Sequence, residues 1–255
     1  EDLDLSYRAQ LGGWRFLYLP EVVVPAEIPP QIAAYKQQQA RWAKGSTQNL
    51  LLHGLALWRS RRLTLAQKFM GMLHLCQYVV HPLMLALLLL TPPLLAVGAL
   101  QRLSLAPLGL AGLGPPLVYL LSQRHLYPDW PRRLLAFPVL MGVGTGLALS
   151  NTLAVWAAVR GEPNVFRRTP KFDREGWQAS GYALRRSRMV LGEALLAVYA
   201  AGGVYLALER LPSLAPFLVV YAFAFGLVTL WGLVEDIQIR RVKTRHPAVR
   251  KQISA

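Results

Sequence analysis

Four stretches of this chain run without a single Lys, Arg, Asp or Glu: residues 69–101, 103–123, 134–159 and 211–234. A fifth, 189–208, carries only Glu193. About 20 apolar residues are enough for a helix to cross the hydrocarbon core of a bilayer, so each stretch is long enough to be considered. In lipid the backbone must satisfy its own hydrogen bonds, so such runs read as helices. The chain is 54% hydrophobic, yet its 28 Lys and Arg against 13 Asp and Glu give a net charge of +15. A nucleic-acid-binding domain can be this basic, but it would not carry several long uncharged runs, so nucleic acid is not an expected partner. Membrane helices joined by cationic cytoplasmic loops account for both facts. The single cysteine, Cys76, lies inside an apolar run and excludes an internal disulfide framework.

Charge placement selects which stretches cross. Six Lys and Arg fall in 41–68, three in 123–133, eight in 160–188 and six in 240–251. Arg102 and Arg210 sit in the short turns after 69–101 and after 189–208. The positive-inside rule puts these two turns outside and every basic block in the cytoplasm. Four spans are expected, near 73–96, 104–122, 189–208 and 212–234. The stretch 134–159 then has basic segments on both sides. With Pro138, Gly142, Gly144 and Gly146 it reads as a broken, re-entrant or interfacial segment, and residues 151–160 as a surface helix capped by Asn151 or Ser150. The alternative is a fifth span, which would put the 160–188 loop or the chain's start on the wrong side. Tyr127, Trp130, Trp156 and Trp177 flank apolar runs as an interfacial aromatic belt would.

Ahead of the membrane region, residues 1–30 read as soluble. Leu3, Tyr7 and Leu11, spaced four apart, predict a short helix with an acidic start, ended by Gly12-Gly13. Residues 14–19 alternate as a strand does, and Val22-Val23-Val24 reads as a buried β-branched run. This is the expected tail of a mixed α/β domain whose main body lies before Glu1. After the Pro-rich loop 25–30, residues 37–45 read as a short helix stopped by Gly45. On it Gln38, Arg41 and Trp42 stand at i, i+3 and i+4, so an amide, a guanidinium and an indole share one face. The planar guanidinium fork suits a phosphate and the ring suits the apolar face of a sugar. Those nine residues alone are equally consistent with a surface helix anchored by its Trp. Residues 46–68, Leu-rich and then Arg-rich, predict an amphipathic helix lying on the membrane.

Glu1-Asp2, Leu5-Ser6-Tyr7-Arg8, Gly13-Trp14-Arg15 and Gln38-x-x-Arg41-Trp42 resemble the end of a family 2 glycosyltransferase catalytic domain. The likeness is to the membrane-embedded branch of cellulose, mannan and hyaluronan synthases, whose T-E-D and Q-x-x-R-W motifs come in this order. Phe166-Arg167-Arg168-Thr169-Pro170-Lys171 resembles the gating loop of the same branch, with Arg168 departing from its Val. The wording is nearer to mannan- and glucomannan-synthase-like members. The resemblance implies the end of a GT-A-type α/β domain over 1–45, interface helices over 46–68, a transmembrane region over 69–235 with a cytoplasmic loop at 160–188, and a basic tail over 236–255.

It also implies roles. Asp2 would be the base that deprotonates the acceptor hydroxyl, with Glu1 beside it, and an adjacent carboxylate can raise a base's pKa. Gln38 and Arg41 would contact the nucleotide diphosphate, and Trp42 would floor the acceptor sugar. Phe166, Thr169 and Lys171 would close over the nucleotide. Mg²⁺ or Mn²⁺ would be held by ligands upstream of this chain, which alone would then be inactive. The expected partners are a UDP- or GDP-hexose, the growing glycan and membrane lipid, at the inner (plasma) membrane with the C-terminus cytoplasmic. The competing readings are a non-processive transferase acting on a lipid or small acceptor, and a channel or transporter subunit. No inverted repeat favours a transporter. His74 and His81, seven apart, are spaced for packing rather than for a metal, and Glu193 is placed to pair with Arg186 or Arg188.

Overall fold

In the computed structural model the described residues are 2–26, 28–102, 110, 112–163, 184 and 189–245, with 242–245 described by their backbone only. They form, in order, α1 (Asp2–Leu11), α2 (Ile32–Arg59), α3 (Leu65–Cys76), α4 (Val80–Ala96), α5 (Gly114–Leu126), α6 (Trp130–Arg133), α7 (Phe137–Gly146), α8 (Ala148–Val159), α9 (Met189–Arg210) and α10 (Ala215–Arg245). The chain divides into two compact units, one drawn from 1–83, 148–187 and 231–255, the other from 84–147 and 188–230.

The first unit is built on α2. Its second half meets α1 and α3 through Tyr7, Leu57 and Leu75, all buried, with Leu3, Leu11, Leu50, Leu63 and Met72 around them. Its first half meets α8 through Ala43, Ala154 and Val155, with Ala40 and Tyr78 beside them. Small side chains at this seam let two helices approach closely. α1 stops as its sequence predicts. Gly13 takes φ +99°, and Trp14 N–H donates to Ala9 O at 3.1 Å, closing the last turn with a left-handed residue that glycine adopts without strain.

Two soluble-region expectations are corrected. Gly45 does not stop a helix, because α2 runs unbroken from Ile32 to Arg59 and absorbs the first part of the 46–68 segment. One interior glycine costs about 1 kcal/mol in helix propensity. The Leu-rich turns that follow bury Leu57 and His53 on the same helix, which outweighs that cost. The break comes instead at 60–64, where Thr64 caps α3 in a reciprocal capping box with Gln67. Residues 14–19 and 22–24 form no strand, and Val23 and Val24 are 83% and 80% exposed rather than buried. A strand needs a neighbouring ladder, and no strand is present among the described residues.

In the second unit α7 lies against α10. A Cβ at Gly142 would meet Phe223 at 2.8 Å, and one at Gly146 would meet Val228 at 2.5 Å. Tyr199 and Tyr221 donate their hydroxyls to the carbonyls of Leu89 and Met84 on α4, at 2.7 and 3.1 Å. Pro93 has no N–H to offer Leu89 O, so the Tyr199 phenol serves a carbonyl that has lost its helical donor.

Two helices are long and apolar enough to cross a membrane, Met189–Arg210 and Pro212–Arg241, and up to four spans result if two interrupted pairs each count as one. The pairs are Leu65–Cys76 with Val80–Ala96, and Trp130–Gly146 with Ala148–Val159. The first expected span is therefore interrupted, at 77–79. Pro82 explains the place, since it has no N–H to give Tyr78 O and its ring crowds that carbonyl, which accepts His81 N–H at 3.2 Å instead. Of the span expected at 104–122, residues 104–109 and 111 lie outside the described residues, and α5 begins only at Gly114. Asn151 and Ser150 do not cap a helix: both lie inside α8 and are buried. Glu193 is fully buried on α9, while Arg186, Arg188 and Trp177 lie outside the described residues.

Candidate functional site

A cleft of about 960 Å³ opens in the first unit, lined by α1, by the middle of α2, by the break between α3 and α4 and by the end of α8. α1 contributes Asp2 and Asp4. α2 contributes Arg41, Trp42, Gln48 and Asn49, and the break contributes Gln77 and Tyr78. Trp42 is 48% exposed, so a large part of its ring is available to a ligand. A carboxylate, a guanidinium and an indole thus share one concave surface. Gln38, a turn earlier on α2, is half-buried and is not part of the cleft lining. Its neighbour Gln39 instead accepts the Tyr78 hydroxyl at 3.1 Å and ties the helix break to α2. Glu1, Phe166, Thr169 and Lys171 lie outside the described residues.

The electrostatics of the two α1 aspartates differ. Asp4 receives His53 Nε2 at 2.7 Å on one oxygen and Arg8 Nε at 2.8 Å on the other. The His53 hydrogen bond first, and then Arg8, hold the Asp4 carboxyl below the usual carboxylate range despite partial burial. A carboxylate so engaged is a poor proton acceptor, whereas Asp2 takes part in neither contact. One turn on, the buried Tyr7 hydroxyl bonds His74 Nδ1 at 2.9 Å and donates to Gly71 O at 3.1 Å. Burial pushes its phenol up.

The residues beside the cleft also hold other parts of the chain. Lys44 Nζ and Gln48 Nε2 donate to the carbonyls of Pro163 and Glu162 at 3.1 and 3.2 Å. At the start of α2, buried Gln31 exchanges two hydrogen bonds with the backbone of Leu184, at 2.7 and 3.0 Å. Glu235 of α10 accepts Ile32 N–H on both oxygens, at 2.9 and 3.0 Å, and so caps a helix that has no side-chain cap of its own. Asp4, His53, Gln31 and Glu235 were not singled out by the sequence, and Tyr7 was read there only as an apolar position of α1 and as part of the Leu5–Arg8 motif. The available signal was a polar stripe, Ser46, Asn49 and His53 at helical spacing within a Leu-rich helix, and all three are buried. Their partners, far away in sequence, gave no signal. His74 and His81 do not converge: His74 meets Tyr7, and His81 meets Asn151 at 3.0 Å. Among the described residues no group of three or more His, Cys, Asp or Glu is placed to hold a metal ion, so the implied divalent metal finds no ligand set among them.

A mainly helical protein with membrane-length helices and a cleft holding a carboxylate, a guanidinium and an exposed indole defines the class. The description "Glycosyl transferase family group 2" matches residues 1–231, and the chain belongs to that family. A rice protein, probable glucomannan 4-beta-mannosyltransferase 7, is 36% identical over 69 residues, covering 27% of this chain and 12% of the relative. Glucomannan 4-beta-mannosyltransferase 9 of Arabidopsis thaliana is 38% identical over 68 residues, 27% of this chain and 13% of that protein. Rice probable glucomannan 4-beta-mannosyltransferase 3 is 48% identical over 46 residues, 18% of this chain and 8% of the relative. The matched stretches thus span only 8–13% of the length of these relatives. No solved structure matches the chain.

Proposed function

We propose that the cleft is the acceptor side of an inverting hexosyltransferase working at the cytoplasmic face of the plasma (inner) membrane. The donor is a UDP- or GDP-hexose and the product a growing mannan- or glucan-type glycan, extended processively and exported through the membrane helices. The observation that carries this reading is that Asp2, Arg41 and Trp42 line one cleft. The matched relatives, named as mannosyltransferases of glucomannan, favour a polysaccharide product.

The transfer asks three things of the protein. The acceptor hydroxyl loses its proton to the Asp2 carboxylate as its oxygen bonds the anomeric carbon. The bond from that carbon to the diphosphate breaks on the opposite face, which inverts the centre. Arg41 neutralises charge on the departing diphosphate, and the Trp42 ring holds the terminal acceptor sugar in line. By the motif resemblance Phe166, Thr169 and Lys171 close over the nucleotide, and Gln38, which does not line the cleft, supports Arg41 from one turn earlier on α2. The metal ligands belong upstream.

Kinetics with the intact protein in lipid nanodiscs separate these roles. Arg41→Ala is expected to lower the rate of nucleoside diphosphate release by roughly 100-fold or more, as loss of one charge-stabilising group does. Trp42→Ala is expected to raise the KM for acceptor more than that for donor. Both variants turning over at the wild-type rate would overturn the assignment.

A further inference from the structure

Asp2 is the first residue of α1, so its position in the cleft is set by how that helix is fastened. α1 has 10 residues, too few to be stable in isolation, and its apolar contacts through Leu3, Tyr7 and Leu11 do not by themselves fix its position along its axis. Directional bonds do. The Asp4 carboxylate accepts His53 Nε2–H of α2, and the Tyr7 hydroxyl bonds both His74 Nδ1 and Gly71 O of α3. The Tyr7 ring stacks with both imidazoles, its centroid 6.5 Å from that of His53 and 6.0 Å from that of His74, at interplanar angles of 10° and 26°. At the far end Arg62 donates to Gly12 O at 2.6 Å.

We propose that Asp4, His53, Tyr7 and His74 form a polar latch that positions Asp2 for proton abstraction. They are positioning residues that act through Asp2, and the proposal rests on the glycosyl-transfer reading of the cleft. A slip of α1 by one residue would carry Asp2 about 1.5 Å along the helix axis. A misplacement of about 1 Å can cost on the order of 100-fold in rate. The titratable groups in contact with His53 are Asp4 and the Tyr7 phenol, which in turn meet Arg8 of α1 and His74 of α3. The Asp4 carboxylate opposite Nε2 selects the ring form that carries a proton on that nitrogen.

The test measures initial rates of the intact protein in nanodiscs, with donor and acceptor varied separately. His53→Ala is expected to lower kcat roughly 10- to 100-fold while the donor KM stays within about twofold, because Arg41 is not displaced. His53→Gln, whose amide reaches Asp4, is expected to restore most of that loss. Tyr7→Phe keeps the buried ring, removes only the hydroxyl, and is expected to lower kcat with the donor KM unchanged. It decides the matter if His53→Ala fails to fold. A wild-type kcat in His53→Ala or in Tyr7→Phe, or a loss in His53→Ala that His53→Gln does not restore, would overturn the latch. Asp2→Asn in the same assay separates the two claims. If it is inactive while the latch variants are fully active, the latch alone fails; if it is fully active, the assignment of the cleft fails.

Discussion

Gly146→Ala adds one methyl group at the glycine that, among those described, leaves the least room for it. Its Cβ would lie 2.5 Å from Val228 Cγ1 and 2.8 Å from the Ala224 carbonyl oxygen. Optimal separation between carbon atoms is about 3.5–4.0 Å, so roughly 1 Å must be found. Val228 cannot supply it by rotation, since a β-branched side chain on a helix is confined to essentially one rotamer. The Ala224 oxygen is backbone, so α10 itself must shift. Overpacking of this kind costs about 1–3 kcal/mol. Gly144→Ala is the matched control: nothing lies within 4 Å of its Cβ. It should gain the helix propensity of alanine over glycine, about 1 kcal/mol. The two variants are thus expected to differ by about 2–4 kcal/mol in opposite directions. Thermal unfolding in detergent micelles, followed by circular dichroism, reads the difference. Equal melting temperatures for the two variants would refute the close packing of α7 on α10.

Two further outcomes follow from the polar contacts. Because its carboxyl is held low in the folded protein, Asp4 stabilises the fold above its unfolded pKa of about 3.9, and that contribution is lost as pH falls through the lower folded value. The stability–pH curve of Asp4→Asn should therefore be flatter than the wild-type curve below about pH 4, and an equally steep curve would contradict the His53–Asp4 bond. Glu235→Ala leaves the buried Ile32 N–H without an acceptor and should cost about 1–3 kcal/mol, with Glu235→Gln milder because one oxygen remains. Equal denaturation midpoints for the two variants would argue against the cap.

What the sequence made legible were features that depend on near neighbours. The 3–4 residue spacing of Leu3, Tyr7 and Leu11 located α1, and Gly13 located its end. Apolar length located α9, despite Glu193, and the apolar part of α10. Adjacent placement of Arg41 and Trp42 on one helix brought both to the cleft, and Asp2 met them there. The misreadings share a cause: local propensity was taken as decisive where tertiary contact decides. Gly45 looked like a stop, but its helix is held by α8 on one side of it and by α1 and α3 on the other. Val22–Val24 looked like strand without a ladder to join. The Asp4–His53 and Ile32–Glu235 contacts join residues 49 and 203 positions apart, beyond the reach of any periodicity.

The central claim is that Asp2 takes the acceptor's proton. The direct measurement is the rate of hexose transfer from nucleotide sugar by the intact protein carrying Asp2→Asn, which keeps size and hydrogen bonding but removes the basic oxygen. Loss of a general base predicts a fall of about 100- to 10,000-fold in kcat with donor binding retained. Transfer at the wild-type rate by Asp2→Asn would contradict the account.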